Sequence, residues 1–465
     1  MKINIGSNEV IHFVGIGGIG MSGLAQIMNN MGFNIQGSDL NRNKNIERLV
    51  KLGIKVFIGH NQKNLKKATM LVISSAVKKN NSELKKAKKK KLPIFKRGEM
   101  LANVVALKKN IVVAGSHGKT TTTSLVANIL VEAGLDPTVI NGGIINSLKN
   151  TAQLGKGEWA VIESDESDGS FLKLPITYSI VTNLDKEHLD FYKSFERLKK
   201  NFKFFIEKTA SFGKSIICFD DKNLKSLIPQ LNKGNYLTYG FNKSSNYKIY
   251  NVRKRINHSI FDLKTKFSKN KTQDIKNIKV NLIGDHNISN AAAAIAIGLN
   301  LGIHTNKIKK ALKKFMGIQR RFTKIFSIGM REFYDDYAHH PTEIKAVLDG
   351  ARQVNKNRKI ICVFQPHRYS RVKSLMHEFS SSFNQSDEVV LCPVYAAGEK
   401  LKYNFNQNNF SKLISKNSKT QVINIKDQKD LKNYFKKNLL ADEMVICMGA
   451  GSISNWIREI GNELK

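Results

Sequence analysis

The chain has 465 residues, 41% of them hydrophobic, which excludes a wholly disordered protein and suits about three domains. Its 76 Lys and Arg against 37 Asp and Glu give a net charge of +39. Lysine runs such as Lys85 to Lys91 carry no interleaved aromatics and no recognisable nucleic-acid module accompanies them, so the charge reads as decoration of exposed faces. No apolar run approaches the roughly 18–20 residues of a membrane span, and the start, Met1 to Val10, lacks the apolar core of a signal peptide. Cys218, Cys362, Cys392 and Cys447 sit in apolar runs without C-x-x-C spacing, which predicts buried thiols in a reducing cytoplasm.

The first elements read as a strand at Val10–Val14, the loop Gly15-Ile16-Gly17-Gly18-Ile19-Gly20, and a helix with Met21, Leu24, Ala25, Met28 and Met31 at helical spacing. A second strand, from Asn34, ends at Asp39, an acidic residue about 20 positions after the loop. Taken alone, G-x-G-x-x-G fits any pyrophosphate laid on a strand–helix junction. Further strands are expected at Val56–Ile58 and Leu71–Ser75, and a polar joint at 108–110 closes the block.

The next apolar run, Ile111–Ala114, ends in Gly115-Ser116-His117-Gly118-Lys119-Thr120-Thr121 and passes into a helix with Leu125, Val126, Ile129 and Leu130. Strand, loop and helix in that order suit a nucleotide phosphate, since loop amides and the helix dipole both face the anion. Lys119 can reach the outer phosphates and the Thr120 hydroxyl can ligate Mg²⁺. Position 113 is Val rather than Gly, so the loop is a shortened variant of the usual pattern.

Strands at Trp159–Glu163, Tyr178–Thr182 and Ser215–Phe219 follow, separated by helix-length segments. The first delivers Glu163 and then Asp165, Glu166 and Asp168, a carboxylate cluster placed where a magnesium ligand belongs. The second leads to His188, a candidate second metal ligand. Residues 222–279 read as short strands and loops, ahead of an alanine-rich helix from Asn290 to Leu299. The last block starts near Gln319, with strands at Glu332–Asp335, Lys359–Phe364, Glu388–Val394, Gln421–Ile425 and Met444–Met448. Asp336 to Pro341 and Gln365 to Arg371 lie at the carboxyl ends of two of these strands, where open α/β sheets dock ligands. Arg368 and Arg371, three apart, are expected to share a helix face and grip a carboxylate. Repeated strand–helix units make the fold class α/β with mainly parallel sheets.

In order, Gly15–Gly20, Gly115–Thr123, Glu163–Ser170, Thr182–Asp190, Gly284–Ala294, Gly317–Phe322, Asp335–Glu343 and Gln365–Arg371 resemble the motifs of the Mur ligases, ATP-dependent amide-forming enzymes of peptidoglycan synthesis. The resemblance implies a Rossmann-like UDP-sugar domain over 1–107, a P-loop-type central ATPase domain over 108–318 and a Rossmann-like C-terminal domain for the amino acid over 319–465. It implies that Gly115, Ser116, His117, Gly118, Lys119, Thr120 and Thr121 cradle ATP, with Asn287, Asn290, Arg320 and Asp336 completing the nucleotide site. Thr120, Glu163 and His188 are the implied Mg²⁺ ligands. Gly15, Gly17, Gly18, Gly20, Ser22, Asp39, Asp165, Glu166, Asp168, His340, Arg368 and Arg371 are the implied substrate-binding residues. Lys119, His188, Arg320 and His340 are the expected catalytic residues, with His340 as a base for the incoming amine.

The implied reaction joins L-alanine to the lactyl carboxylate of UDP-N-acetylmuramate through an acyl phosphate. Expected partners are these small molecules, with no specific nucleic acid and no membrane, in a monomer or homodimer. An alternative inside the family is a ligase that recycles a whole tripeptide onto the same sugar nucleotide. Outside it, a nicotinamide-dependent oxidoreductase would account for the first loop but leave Gly115–Thr123 unused, and a basic P-loop protein acting on nucleic acid is a third possibility.

Overall fold

The computed structural model describes residues 9–146, 150–232, 234–268, 271–399, 405–440 and 442–464; most of the polar start lies outside them. Among the described residues three sheets organise the chain. The first is wholly parallel, in the order Lys55–Ile58, Asn34–Asp39, Val10–Val14, Met70–Ile73, Ile94–Lys96. The chain starts in the middle strand and winds first to one side and then to the other, so the Gly15 loop leaves the sheet where the winding reverses. That is where the carboxyl ends of open α/β sheets leave a crevice.

The second sheet has ten strands and repeats this logic. Its strand Lys109–Ala114 lies between Tyr178–Val181 and Trp159–Glu163, parallel to both. The Gly115 loop thus leaves a second reversal point. Val112, Val113 and Ala114 are fully buried, as a central parallel strand requires. The helix Phe195–Glu207 shows how local sequence sets the packing. Ser194 caps it by accepting from the Arg197 amide at 3.2 Å, and Leu198, Phe202, Phe205 and Ile206 form its buried stripe.

The third sheet runs Thr323–Ile328, Arg331–Asp336, Glu443–Met448, Lys359–Phe364, Glu388–Leu391, Gln421–Asn424, with only the first pair antiparallel. Alternation along the strands fills both faces. Cys362, Phe364, Ile446 and Met448 join one core, and Ile361, Val363, Val445 and Cys447 the other. Each large apolar side chain so buried contributes roughly 1.5–3 kcal/mol. All four cysteines are buried free thiols.

Several expectations are corrected. Residues 222–279 hold one short strand, Tyr236–Gly240, but also the helix Lys222–Leu227 and the long strands Tyr247–Arg255 and His258–Ser268, with Lys271–Val280 closing the sheet edge. Buried Tyr247 and Ile249 alternate with half-buried Lys248 and Tyr250, and buried Leu263 and Thr265 with exposed Lys264 and Lys266, a period of two hidden by the charge. A hairpin, Thr138–Ile145 with Asn150–Gln153, was missed, and Ser170–Lys173 is one 3₁₀ turn where a helix-length segment was expected. The alanine-rich helix begins at Asp285, five residues early, which puts Asn287 in its first turn. Arg368 stands outside the helix Tyr369–Ser374, with φ +68°, so it does not share a helix face with Arg371.

The chain forms two compact units. One holds the first sheet and most of the second; the other holds residues 317–465 together with 252–260 and 280–288. Among the described residues no helix is long and apolar enough to cross a membrane.

Candidate active site

The Gly115–Gly118 loop is held from below by the segment after the neighbouring strand. Ser116 N donates to Asn183 O at 3.2 Å and His117 N to Asn183 Oδ1 at 2.7 Å. Thr182 Oγ1 and Asn183 Nδ2 both donate to His117 O, at 2.6 and 3.0 Å. Asp185 meets the His117 ring at 2.8 Å, and its amide donates to Ser116 Oγ at 2.8 Å. Gly118 caps the helix Lys119–Glu132 in the left-handed region, and a Cβ there would fall 2.7 Å from Asn290 Oδ1. Asn290, expected at the nucleotide, therefore packs on the loop itself. Asn287 instead donates to Ile283 O at 2.8 Å.

Lys119 Nζ donates to Ser116 O at 3.1 Å, to Glu166 Oε1 at 2.9 Å and also to Gly115 O. Burial pulls its pKa down, but Glu166, Glu187 and Glu163 outweigh this and hold it above the ordinary value, so the lysine is a cation. Burial raises the Glu166 carboxyl to about 7, with Asp165 and Glu187 adding to the effect against Lys119. Glu166 Oε2 is buried with no hydrogen-bond partner. Thr120 Oγ1 donates to Glu163 Oε1 at 3.0 Å, and the Gly142 amide donates to the other oxygen at 2.5 Å.

His188, at φ +56°, places Nε2 3.7 Å from Glu166 Oε1 and 3.9 Å from Glu187 Oε2. Ligand atoms of Glu166, Glu187 and His188 all lie within 4.8 Å of one another, a spacing that suits one cation; Glu163 is not part of that group. Asp165 pairs with Arg97 at 3.4 Å, while Asp168 accepts from the Ser170 amide at 3.0 Å. Asp168 thus holds a turn.

At the first loop, Gly17 N donates to Asp39 Oδ2 at 2.8 Å. Ser22 Oγ donates to Ile19 O at 3.0 Å and meets Arg48 Nη2 at 3.4 Å. Arg97 lies against Gly20, where a Cβ would fall 3.1 Å from its Nη1. Gly15 (φ +82°) turns the chain out of the strand, and Gly18 precedes the helix. Arg48 and Arg97 escaped the sequence reading because neither sits in a glycine-marked motif, and long-range pairing alone brings them to the loop; Glu187 lies within the Thr182–Asp190 motif but carried no signal apart from its neighbour His188.

In the second unit, Asp336 is 3% exposed and accepts from the amides of Phe322 and Ala338, both at 2.7 Å. His340 Nδ1 accepts from the Thr342 amide at 3.4 Å and caps the helix Pro341–Val354. That bond puts the proton of a neutral ring on Nε2, which makes this nitrogen a donor. Arg371 Nη1 meets His367 Nδ1 at 3.2 Å, and the Arg368 amide donates to Tyr395 O at 2.8 Å. Arg320 Nη2 donates to Gly449 O, and its guanidinium lies 4.8 Å from the Tyr337 ring centroid.

The two strand–loop–helix junctions, one of them carrying a lysine among carboxylates, define a phosphate-handling α/β enzyme. Comparison with known families makes the class specific. Residues 10–109 match the family model described as Mur ligase family, catalytic domain; 113–298 match the Mur ligase middle domain; 320–451 match the Mur ligase, glutamate ligase domain. The chain belongs to the Mur ligase family.

Among its relatives, a UDP-N-acetylmuramate–L-alanine ligase of Pelagibacter ubique is 56% identical over 460 residues, covering 99% of each chain. One of Rhodospirillum rubrum is 43% identical, covering 98% of this chain and 95% of its own. A solved UDP-N-acetylmuramate–alanine ligase from Thermotoga maritima superimposes with TM-score 0.82 at 28% identity over 98% of both chains. A murein peptide ligase from Psychrobacter arcticus shares the fold at TM-score 0.72 and 22% identity, again over 98% of both. These comparisons do not favour the oxidoreductase or the tripeptide-adding reading.

Proposed function

We propose that this chain is an ATP-dependent ligase that joins L-alanine to the lactyl carboxylate of UDP-N-acetylmuramate, with magnesium as its metal. The observation that carries the reading is a full-length identity of 56% to a ligase of that name, in a chain whose Lys119 stands among loop carbonyls and carboxylates. A divalent cation fits the residues present: Glu166 Oε2 is a buried acceptor with no partner, and Thr120 and Glu163 offer hard oxygens 3.0 Å apart. Thr120 and Glu163 would hold a cation at one seat, and His188 with Glu166 and Glu187 would hold one at a second. When bound, magnesium neutralises charge on the transferred phosphoryl group.

A carboxylate is a poor electrophile, so its oxygen first attacks the γ-phosphorus of ATP, ADP leaves and an acyl phosphate forms. Lys119 exchanges Glu166 and the loop carbonyls for phosphate oxygens, and Arg320 supplies a further cation. Glu166, freed of its partner, is left beside His188. The amine of L-alanine, having given its ammonium proton to solvent, then attacks the acyl carbon; the acyl C–O bond to phosphate breaks and the second nitrogen proton leaves with the phosphate. We read the first loop, with Asp39, Ser22, Arg48 and Arg97, as the seat of the sugar nucleotide, and the described C-terminal loops with Arg368 and Arg371 as the amino-acid side. The domain roles over 1–107, 108–318 and 319–465 belong to the same proposal.

The test is phosphate release from ATP in the presence of UDP-N-acetylmuramate, with and without L-alanine, the product weighed by mass spectrometry. Release that requires both substrates is expected. Release driven by the tripeptide and not by L-alanine would support the recycling ligase instead.

A further inference from the structure

We propose that Asp335 is the positioning residue for Arg320: its Oδ1 takes the Arg320 Nε–H when the guanidinium engages a phosphate oxygen, and so fixes the guanidinium plane. This rests on the reading of Arg320 as a phosphate ligand and adds a residue that the motif comparison did not single out.

Arg320 Nε and Asp335 Oδ1 face each other at 3.7 Å, just beyond hydrogen-bond range. Both atoms are buried and neither has another partner. Buried polar groups are nearly always satisfied, so two facing orphans mark a bond that a shift of under about 1 Å completes. Asp335 cannot turn away to find a partner elsewhere. Its Oδ2 accepts from Ser454 Oγ at 2.6 Å and from Arg458 Nη2 at 2.9 Å, and the residue is fully buried.

The arginine is steered from its other sides as well. Tyr337 covers one face of the guanidinium, and Nη2 donates to Gly449 O. Nη1 has no acceptor among the described residues, which leaves it for an incoming anion. The Arg320 backbone sits at φ +59°, a left-handed conformation that a non-glycine residue keeps only where its surroundings over-determine it. An anion drawing on Nη1 turns the guanidinium in its plane, and Asp335 is the carboxylate toward which Nε points.

The test is a double-mutant cycle of Asp335→Asn and Arg320→Lys, read as kcat, as KM for each substrate, as ATP affinity by calorimetry, and as thermal midpoint. Asn can still accept from Ser454 and Arg458 through its oxygen, but it presents an N–H to Arg320. Asp335→Asn is expected to lower kcat about tenfold to a hundredfold with little change in midpoint. The double variant is expected to be no slower than Arg320→Lys alone. A near-normal Asp335→Asn, or losses that multiply, overturns the proposal. A wild type without ligase turnover sinks the functional reading instead, and the same cycle on ATP affinity then decides this one. Should Asp335→Asn fail to fold, the Arg320 Nε–Hε resonance of ¹⁵N-labelled wild type gives the answer. It is expected to move downfield on adding a non-hydrolysable ATP analogue with magnesium, and an unmoved resonance overturns the proposal.

Discussion

The two glycine loops leave equivalent points of two parallel sheets, yet they are wired differently. Both tie amides to a neighbouring segment, Ser116 and His117 to Asn183 in the second and Gly17 to Asp39 in the first, where Asn43 and Asn45 also donate to Gly17 O, at 3.3 and 2.9 Å. The cations near the first loop, Arg48 and Arg97, come from other elements. The second loop carries its own cation, Lys119, held by contacts that an anion can replace. A pyrophosphate that is only held keeps its charge throughout a reaction, and fixed groups suffice. A phosphoryl group in transfer redistributes charge, and the second loop is built for that.

Lys119→Ala is the sharpest way to break the comparison. It should lower ATP-dependent turnover about a thousandfold while sugar-nucleotide affinity, measured by calorimetry, stays within about twofold. An equal loss in both would mean that the loops do not divide the work.

Gly17→Ala is the converse. A Cβ there would lie 2.7 Å from Asn43 Nδ2 and 2.9 Å from Asp39 Oδ2, so the tie that shapes the first loop must give. KM for UDP-N-acetylmuramate should rise about tenfold, some 1.4 kcal/mol, with kcat at saturation and KM for ATP nearly unchanged. A fall in kcat at saturation would show that the first loop also takes part in the chemical step.

The second loop was legible in the sequence because strand, glycines, lysine and helix fall within one short segment. The first was legible only as far as its glycines. That Asp39 bonds the Gly17 amide depends on the pairing of strand Val10–Val14 with Asn34–Asp39. The carboxylate cluster was visible as a cluster, but its members serve separate ends: Glu163 meets Thr120, Glu166 meets Lys119, Asp165 pairs with Arg97 and Asp168 holds a turn. Spacing along a chain does not tell which way each carboxylate faces once the strand has ended. The hairpin at 138–153 and the long strands of 247–280 escaped for another reason. In the long strands exposed Lys264 and Lys266 fall beside buried Leu263 and Thr265 and dilute the apolar alternation, and in the hairpin the pair Gly142-Gly143 interrupts it.

The smallest predicted effect extends the comparison to the second unit. Asp336 ties two loop amides just as Asp39 ties Gly17, which places it with the fixed groups. Burial raises its carboxyl from the ordinary 3.8 to about 6, so between those values the folded chain holds a proton that the unfolded chain has released. Acidification from pH 6 toward 4 therefore stabilises the fold through this group, and above pH 6, with both forms ionised, its burial penalty is fully present. Asp336→Asn removes that proton. The stability of wild type relative to the variant should then grow as pH falls across this window, by at most about 1.4 kcal/mol per pH unit. Urea unfolding at pH 4, 5, 6 and 7 checks it, followed by Trp456 in a Trp159→Phe background so that the second unit alone is seen. A difference that stays flat with pH would mean that water reaches Asp336 and that its loop, unlike the first, opens in solution.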